Sequence, residues 1–175
     1  MAGNTGKSDV QMSGGEVQLA VFKVGGEEFA VDIMEIMEII RPQKITKVPK
    51  APAFVEGIIN LRGKIVPVLE MRGRFGGEAS GDPKHARIII VKAEESLFGI
   101  VVDEVSEVMY LSRALIDSTP DVVKGVDVEY LKNVGKVGDR LILILDTAKL
   151  LTKEEISELR DVGEQVEESE ARQEG

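Results

Sequence analysis

Cysteine and tryptophan are absent from this 175-residue sequence, and histidine occurs once, at position 85. Without cysteine there are no disulfides, no thiolate zinc sites and no Cys nucleophiles. A single histidine rules out a two-His metal site and leaves little room for Ser-His chemistry. Basic charge is scarce too: 22 Lys and Arg stand against 31 Asp and Glu, a net of −9. A nucleic-acid binder would want a basic surface for phosphate contacts, so that class is set aside. Long apolar runs are missing. The longest, Leu141 to Leu145, falls far short of the ~20 residues a bilayer helix needs. Residues 1–15 are mostly Gly, Ser, Asn and Asp, with no apolar stretch of a secretory signal, and read as a disordered leader.

The acidity is unevenly placed. From Lys153 onward nine acidic and three basic residues leave −6, so residues 1–152 carry −3. The end of the chain reads as a solvated acidic tail over 161–175, and the body is nearly balanced.

That body reads mainly as β-structure. Val17 to Val24 and Glu28 to Val31 flank Gly25-Gly26-Glu27, where Gly-Gly can take the positive φ of a tight hairpin. Three more hairpins are expected: Gly57–Leu61 with Lys64–Leu69, Arg87–Ala93 with Leu97–Val102, and Tyr130–Val137 with Arg140–Leu145. Pro67 lacks an N–H and should sit at an edge or a bulge. A short helix over 70–75 and an amphipathic one over 146–160 complete the elements. Asp146 would be the N-cap of the second, with Ala148, Leu151, Ile156 and Leu159 on its buried face and Leu150 off it.

The two halves resemble each other. Phe29 to Ile40 aligns with Phe98 to Met109, and Lys64 to Glu70 with Arg140 to Asp146. Two copies of a small β unit follow, each with strands enough to curl into a five-stranded barrel; the alternative is a chance likeness of hairpins. The polar turn at 80–84 is the candidate seam.

Catalytic constellations are lacking. No GxxxxGK[ST] occurs, and Gly73, Gly76 and Gly77 do not make a nucleotide loop. The carboxylate pairs Asp32 with Glu35 and Asp103 with Glu104 recur at matching places in both halves, which favours a structural cause such as capping over acid–base work. His85 reads as a surface imidazole. A small-molecule-binding barrel would need a polar-lined cavity, and the inward positions are Val, Ile, Leu and Phe. A binding module that uses sheet edges and apolar grooves is the reading that remains.

The string VEGIINLRGKIVPVL at 55–69 resembles the signature of CheW-type chemotaxis coupling proteins, shared with the regulatory domain of CheA and with CheV. GEEFAVDIMEIMEII at 26–40, Pro-Ala-Phe at 52–54 and GDRLILILD at 138–146 follow the same family in order, so the likeness spans about Val17 to Leu159. Glu70 stands where many members carry Asp, and a carboxylate is kept. The resemblance implies two five-stranded SH3-like β-barrels packed around a shared hydrophobic core, with a short connecting helix and a C-terminal helix. The expected CheW-like domain is 16–160, with a first barrel about 16–82 and a second about 83–150.

It also implies a non-enzymatic adaptor, without metal or cofactor, that couples the cytoplasmic tip of methyl-accepting chemoreceptors to the CheA histidine kinase. Such a protein is cytoplasmic and recruited to membrane-associated receptor arrays, with no membrane insertion of its own. The alternatives are a CheV-like protein or a kinase-independent scaffold; a CheV-like protein would add a receiver domain where an acidic tail follows here. Receptor binding maps by resemblance to Ile36, Glu38, Ile40 and Arg62. Kinase binding maps to Ile45, Val48, Pro49 and Gly57. If Met37 and Ile39 fill the barrel, Ile36 and Ile40 face outward beside Glu38. Gly57 would let another backbone approach closely.

Overall fold

A computed structural model describes residues 15–70, 81–93, 96–118, 131–152, 154–155, 157–158 and 161. Residues 1–14 of the leader expected over 1–15, residues 71–75 of the short helix expected over 70–75 and most of the acidic tail lie outside these residues.

Among the described residues there are eleven strands: β1 (Glu16–Val24), β2 (Glu27–Asp32), β3 (Ile36–Ile40), β4 (Val55–Leu61), β5 (Lys64–Leu69), β6 (Arg87–Ala93), β7 (Ser96–Val102), β8 (Glu104–Ser112), β9 (Ile116–Ser118), β10 (Leu131–Val137) and β11 (Arg140–Leu145). All four expected hairpins form. They build two sheets, one of six strands in the order β8-β1-β2-β11-β10-β9 and one of five in the order β3-β6-β7-β5-β4. The fold is therefore mainly β in two sheets, with six strands rather than five in the first.

The sheets do not follow the division into 16–82 and 83–150. The β1–β2 hairpin pairs with β8 and β11 from the other half of the chain, and β6–β7 pairs with β3 and β5. Two short parallel contacts close the exchange. Ala30 faces Ile144 in one sheet and Gly99 faces Val68 in the other, and these four residues are equivalent in the internal repeat. A hairpin is a local choice, whereas these pairings join residues far apart in sequence.

Burial on both faces explains why several strands are apolar at successive positions. In β6, Ile88 and Ile90 point into a cluster within the second sheet, while Ile89, Val91 and Ala93 point into a core shared by both. In β1, Leu19 and Val21 fill the first sheet's own cluster, and Phe22 and Val24 enter the shared core. The shared core is thus a third cluster, lined by Phe22, Phe29 and Phe98, each fully buried. Burial of one such ring stabilises the fold by about 1.5–3 kcal/mol. Pro67 sits in β5, which has neighbours on both sides rather than at an edge; pairing with β7 begins at Val68, just past it.

The C-terminal segment differs from expectation in its phase. Asp146 accepts a hydrogen bond from the Ala148 N–H at 3.1 Å and caps a 3-10 turn, Thr147–Lys149, not an α-helix. Helical backbone is found at 154–155, 157–158 and 161, after a reciprocal cap in which Thr152 N–H donates to Glu155 and Glu155 N–H donates to Thr152 Oγ1. The cap belongs to Thr152 because Leu150 and Leu151 must both enter the shared core, and Ala148 is left exposed.

Candidate functional site

Arg62 and Gly63 form the two-residue turn between β4 and β5, with φ of 53° and 85°. Such a turn favours Asn or Gly, and an arginine in the left-handed region is uncommon. Asn60 Oδ1 accepts from the Gly63 N–H at 2.7 Å and braces the turn. The guanidinium then reaches β3. Arg62 donates to both carboxylate oxygens of Glu38, one of the two bonds being 3.2 Å long. The hydrogen bonds from Arg62, more than its charge alone, hold the Glu38 carboxyl below its ordinary range. The same hydrogen bonds raise the Arg62 guanidinium above its ordinary value. Arg62 remains 73% exposed, so the pair forms at the surface.

The neighbours of Glu38 are arranged otherwise than expected. The β3–β6 register shifts between Ile36, opposite Val91, and Glu38, opposite Ile90. Met37 is the extra residue of this bulge, and a bulge changes which side the following residues face. Ile36 packs against the shared core and Ile40 against the second sheet's cluster. The outward apolar pair is therefore Met37, 58% exposed, and Ile39, 36% exposed.

β8 is an edge strand of the first sheet, and Val108 and Tyr110 on it are exposed. Ile39, His85, Arg87, Glu104 and Val105 line a cavity of about 130 Å³. The β8 residues went unnoticed in the sequence because only the repeat, which equates β8 with β3, points to them.

The second expected surface follows β3. Ile45 packs into the second sheet's cluster, Val48 is half-buried and Pro49 is exposed. Thr46 bridges Ile58 of β4 through two backbone hydrogen bonds of 2.9 and 2.8 Å. Gly57 is buried beneath this bridge; a Cβ there would lie 2.5 Å from the Thr46 carbonyl and 2.6 Å from Ile45 Cγ2. The backbone that Gly57 admits is thus the chain's own.

The aspartates of the two carboxylate pairs have structural duties. Asp32 accepts from the Met34 N–H at 2.9 Å and caps the 3-10 turn Ile33–Glu35. Asp103 accepts from the Gly25 N–H at 2.8 Å and braces the β1–β2 turn, a role other than capping. Among the described residues no cluster of acids and histidine could hold a metal ion, and no helix is long and apolar enough to cross a membrane. A cleft lined by Asp32, Glu35, Arg113 and Lys132 opens at one end of the first sheet, contrary to the expectation of purely apolar inward positions.

Edge strands with exposed apolar side chains, an ion pair at the surface and carboxylates occupied in turns define a scaffold that works by binding. Residues 18–155 match the CheW-like domain. Chemotaxis protein CheW of Treponema pallidum is 35% identical over 151 residues, covering 84% of this chain and 89% of that protein. Chemotaxis protein CheW of Klebsiella aerogenes is 32% identical, covering 80% and 84%. The crystal structure of the scaffolding protein TtCheW from Thermoanaerobacter tengcongensis superposes with a TM-score of 0.73 at 36% identity, covering 79% of this chain and 89% of that one. The chain belongs to the CheW family of chemotaxis scaffold proteins, which are non-enzymatic adaptors.

Proposed function

We propose that this protein couples the cytoplasmic tip of a methyl-accepting chemoreceptor to the regulatory domain of a CheA histidine kinase, in the cytoplasm at receptor arrays. The observation that carries this reading is the exposed apolar and charged surface of edge strand β3, beside a cavity that Ile39 lines together with Glu104 and Val105 of edge strand β8. Met37 and Ile39 of β3 and Val108 of β8 offer apolar contacts, and the Glu38–Arg62 pair supplies charge at the β3 side. A helix laid along such a surface buries apolar side chains. The receptor surface then comprises Glu38, Arg62, Met37 and Ile39, with Ile36 and Ile40 acting from behind by holding β3 on its cores.

The kinase surface is the outer side of the segment carrying Val48 and Pro49. Gly57 acts as a positioning residue, because it lets Thr46 close on β4. Each sheet curls toward an SH3-like barrel in this reading. Three residues join β8 to β9 at opposite ends of the first sheet's order, and the Thr46 bridge plays the matching part in the second.

Binding of Glu38→Ala and Val48→Asp to a receptor cytoplasmic fragment and to the kinase tests the assignment. Glu38→Ala should weaken the receptor complex on the order of tenfold and leave the kinase complex unchanged. Val48→Asp should show the opposite pattern, because a charge is brought to an apolar contact. Unchanged receptor binding by Glu38→Ala overturns the receptor surface. Loss of both partners together with a lowered melting temperature makes the pair a structural strut only.

A further inference from the structure

The cleft at the end of the first sheet takes no part in either coupling surface. It holds about 350 Å³, within the ~300–1,000 Å³ of sites for small molecules. Its charges come from four separate elements. Asp32 and Glu35 come from the end of β2 and the turn after it, Arg113 from the turn between β8 and β9, and Lys132 from the start of β10. β11 lies between β2 and β10 in the sheet, so Asp32 and Lys132 come from strands that are not neighbours, and the charge of Lys132 reaches Glu35. Leu19 and Ile144, both buried, provide apolar surface between them.

The charged groups retain capacity for a guest. Among the described residues, no ion pair within 4 Å engages Arg113 or Lys132. Asp32 commits its Oδ1 to the Met34 N–H. Burial lifts the Glu35 carboxyl above its ordinary range, and the Asp32 and Asp146 carboxylates add to the shift. A hydrogen bond with Thr147 and the charge of Lys132 offset it in part.

We propose that this cleft binds a small aliphatic zwitterion of amino-acid size, its carboxylate held by Arg113 and Lys132, its ammonium by Glu35 and Asp32, and its side chain against Leu19 and Ile144. A simple anion would meet the two acids, and a simple amine would meet the two bases. A molecule with both charges on one carbon satisfies both pairs at once.

The test titrates the full chain with L-leucine, with 4-methylpentanoate, which lacks the ammonium, and with 3-methylbutylamine, which lacks the carboxylate. Calorimetry gives affinity, and backbone amide shifts at Lys132 and Asn133 give location. Leucine should bind saturably, at least tenfold tighter than either truncated compound. Arg113→Gln and Glu35→Gln should each weaken it at least tenfold, while Arg62→Ala, outside the cleft, should not. Absence of saturable shifts with leucine, or equal binding of all three compounds, overturns the proposal. Should Glu35→Gln fail to fold, Arg113→Gln, altering an exposed side chain, decides the matter alone. This site does not depend on the receptor surface, since Glu38→Ala should leave leucine binding intact.

Discussion

In the first sheet Arg140 lies at the start of β11. Its guanidinium donates to both oxygens of Glu28 on β2, at 3.0 and 2.7 Å, and reaches Glu107 on β8 at 3.5 Å. In the second sheet Arg62 stands in the hairpin turn itself and grips Glu38 on β3. Glu107 and Glu38 occupy matching positions of the internal repeat, yet one shares an arginine with a neighbouring strand and the other has an arginine held out in solvent. Arg140 is about half as exposed as Arg62, at 39% against 73%. The same acid thus serves in one copy to tie three strands together and in the other to leave a charged surface available. Repetition supplies the frame, and displacement of one arginine by two places in the hairpin separates a brace from a contact.

Three comparisons between the sheets can break or sharpen this view. The largest effect is expected in the shared core. Phe29→Ala and Phe98→Ala, at equivalent repeat positions and both fully buried, should each cost about 3–5 kcal/mol. Calorimetry should show one unfolding transition in each case; two separate transitions would mean the sheets are independent units.

A smaller contrast concerns close approaches. Gly57→Ala forces a Cβ to 2.5 Å from a backbone carbonyl, whereas Gly135→Ala meets the end of the Leu111 side chain at 2.6 Å. A flexible side chain gives way more cheaply than backbone, so costs of about 2–3 and about 1 kcal/mol are expected from chemical denaturation. Equal costs would show that the Thr46 bridge is soft.

The smallest contrast is in acid. Hydrogen bonding from Arg140 holds Glu28 below the usual glutamate range, although burial opposes it. A lowered folded-state pKa adds stability above the unfolded-state pKa, and that stability is lost as pH falls through the lowered value. Arg140→Gln should therefore be less stable than the parent near neutrality, with the gap closing in acid. Arg62→Gln should show almost no such gap, because solvent and salt screen an exposed pair. Melting curves against pH check both.

Three of the four hairpins were legible through a local mark, since Gly25-Gly26, Arg62-Gly63 and Gly138-Asp139 can all supply the left-handed backbone of tight turns, and the fourth was read from its two flanking apolar runs. The exchange of strands between halves was not. Ile88 to Val91 are apolar on both faces, so alternation says nothing about which core each face meets, and the parallel pairs involve residues with no local relation. Ile36, Glu38 and Ile40 were expected on one face by counting in twos. The bulge at Met37 interrupts the count, and isolated sequence carries no sign of an unpaired residue opposite Val91 and Ile90. Arg62 and Glu38 could be paired on charge alone. The cleft could not, since its four charges come from four separate elements that meet at one end of a sheet.

The exchange of strands also bears on how the chain acquires its shape during synthesis. Glu28 meets Arg140 across 112 residues of sequence, so the β1–β2 hairpin must wait for the late strands before its sheet can exist. Contacts of such long range slow folding, because loop closure precedes any gain from packing. The second sheet draws its strands from residues 36–102 and can assemble first, leaving the early hairpin with its apolar faces uncovered for that interval. A chain cut after Gly81 would yield two pieces that each lack strands of both sheets, and they should fold by associating with one another.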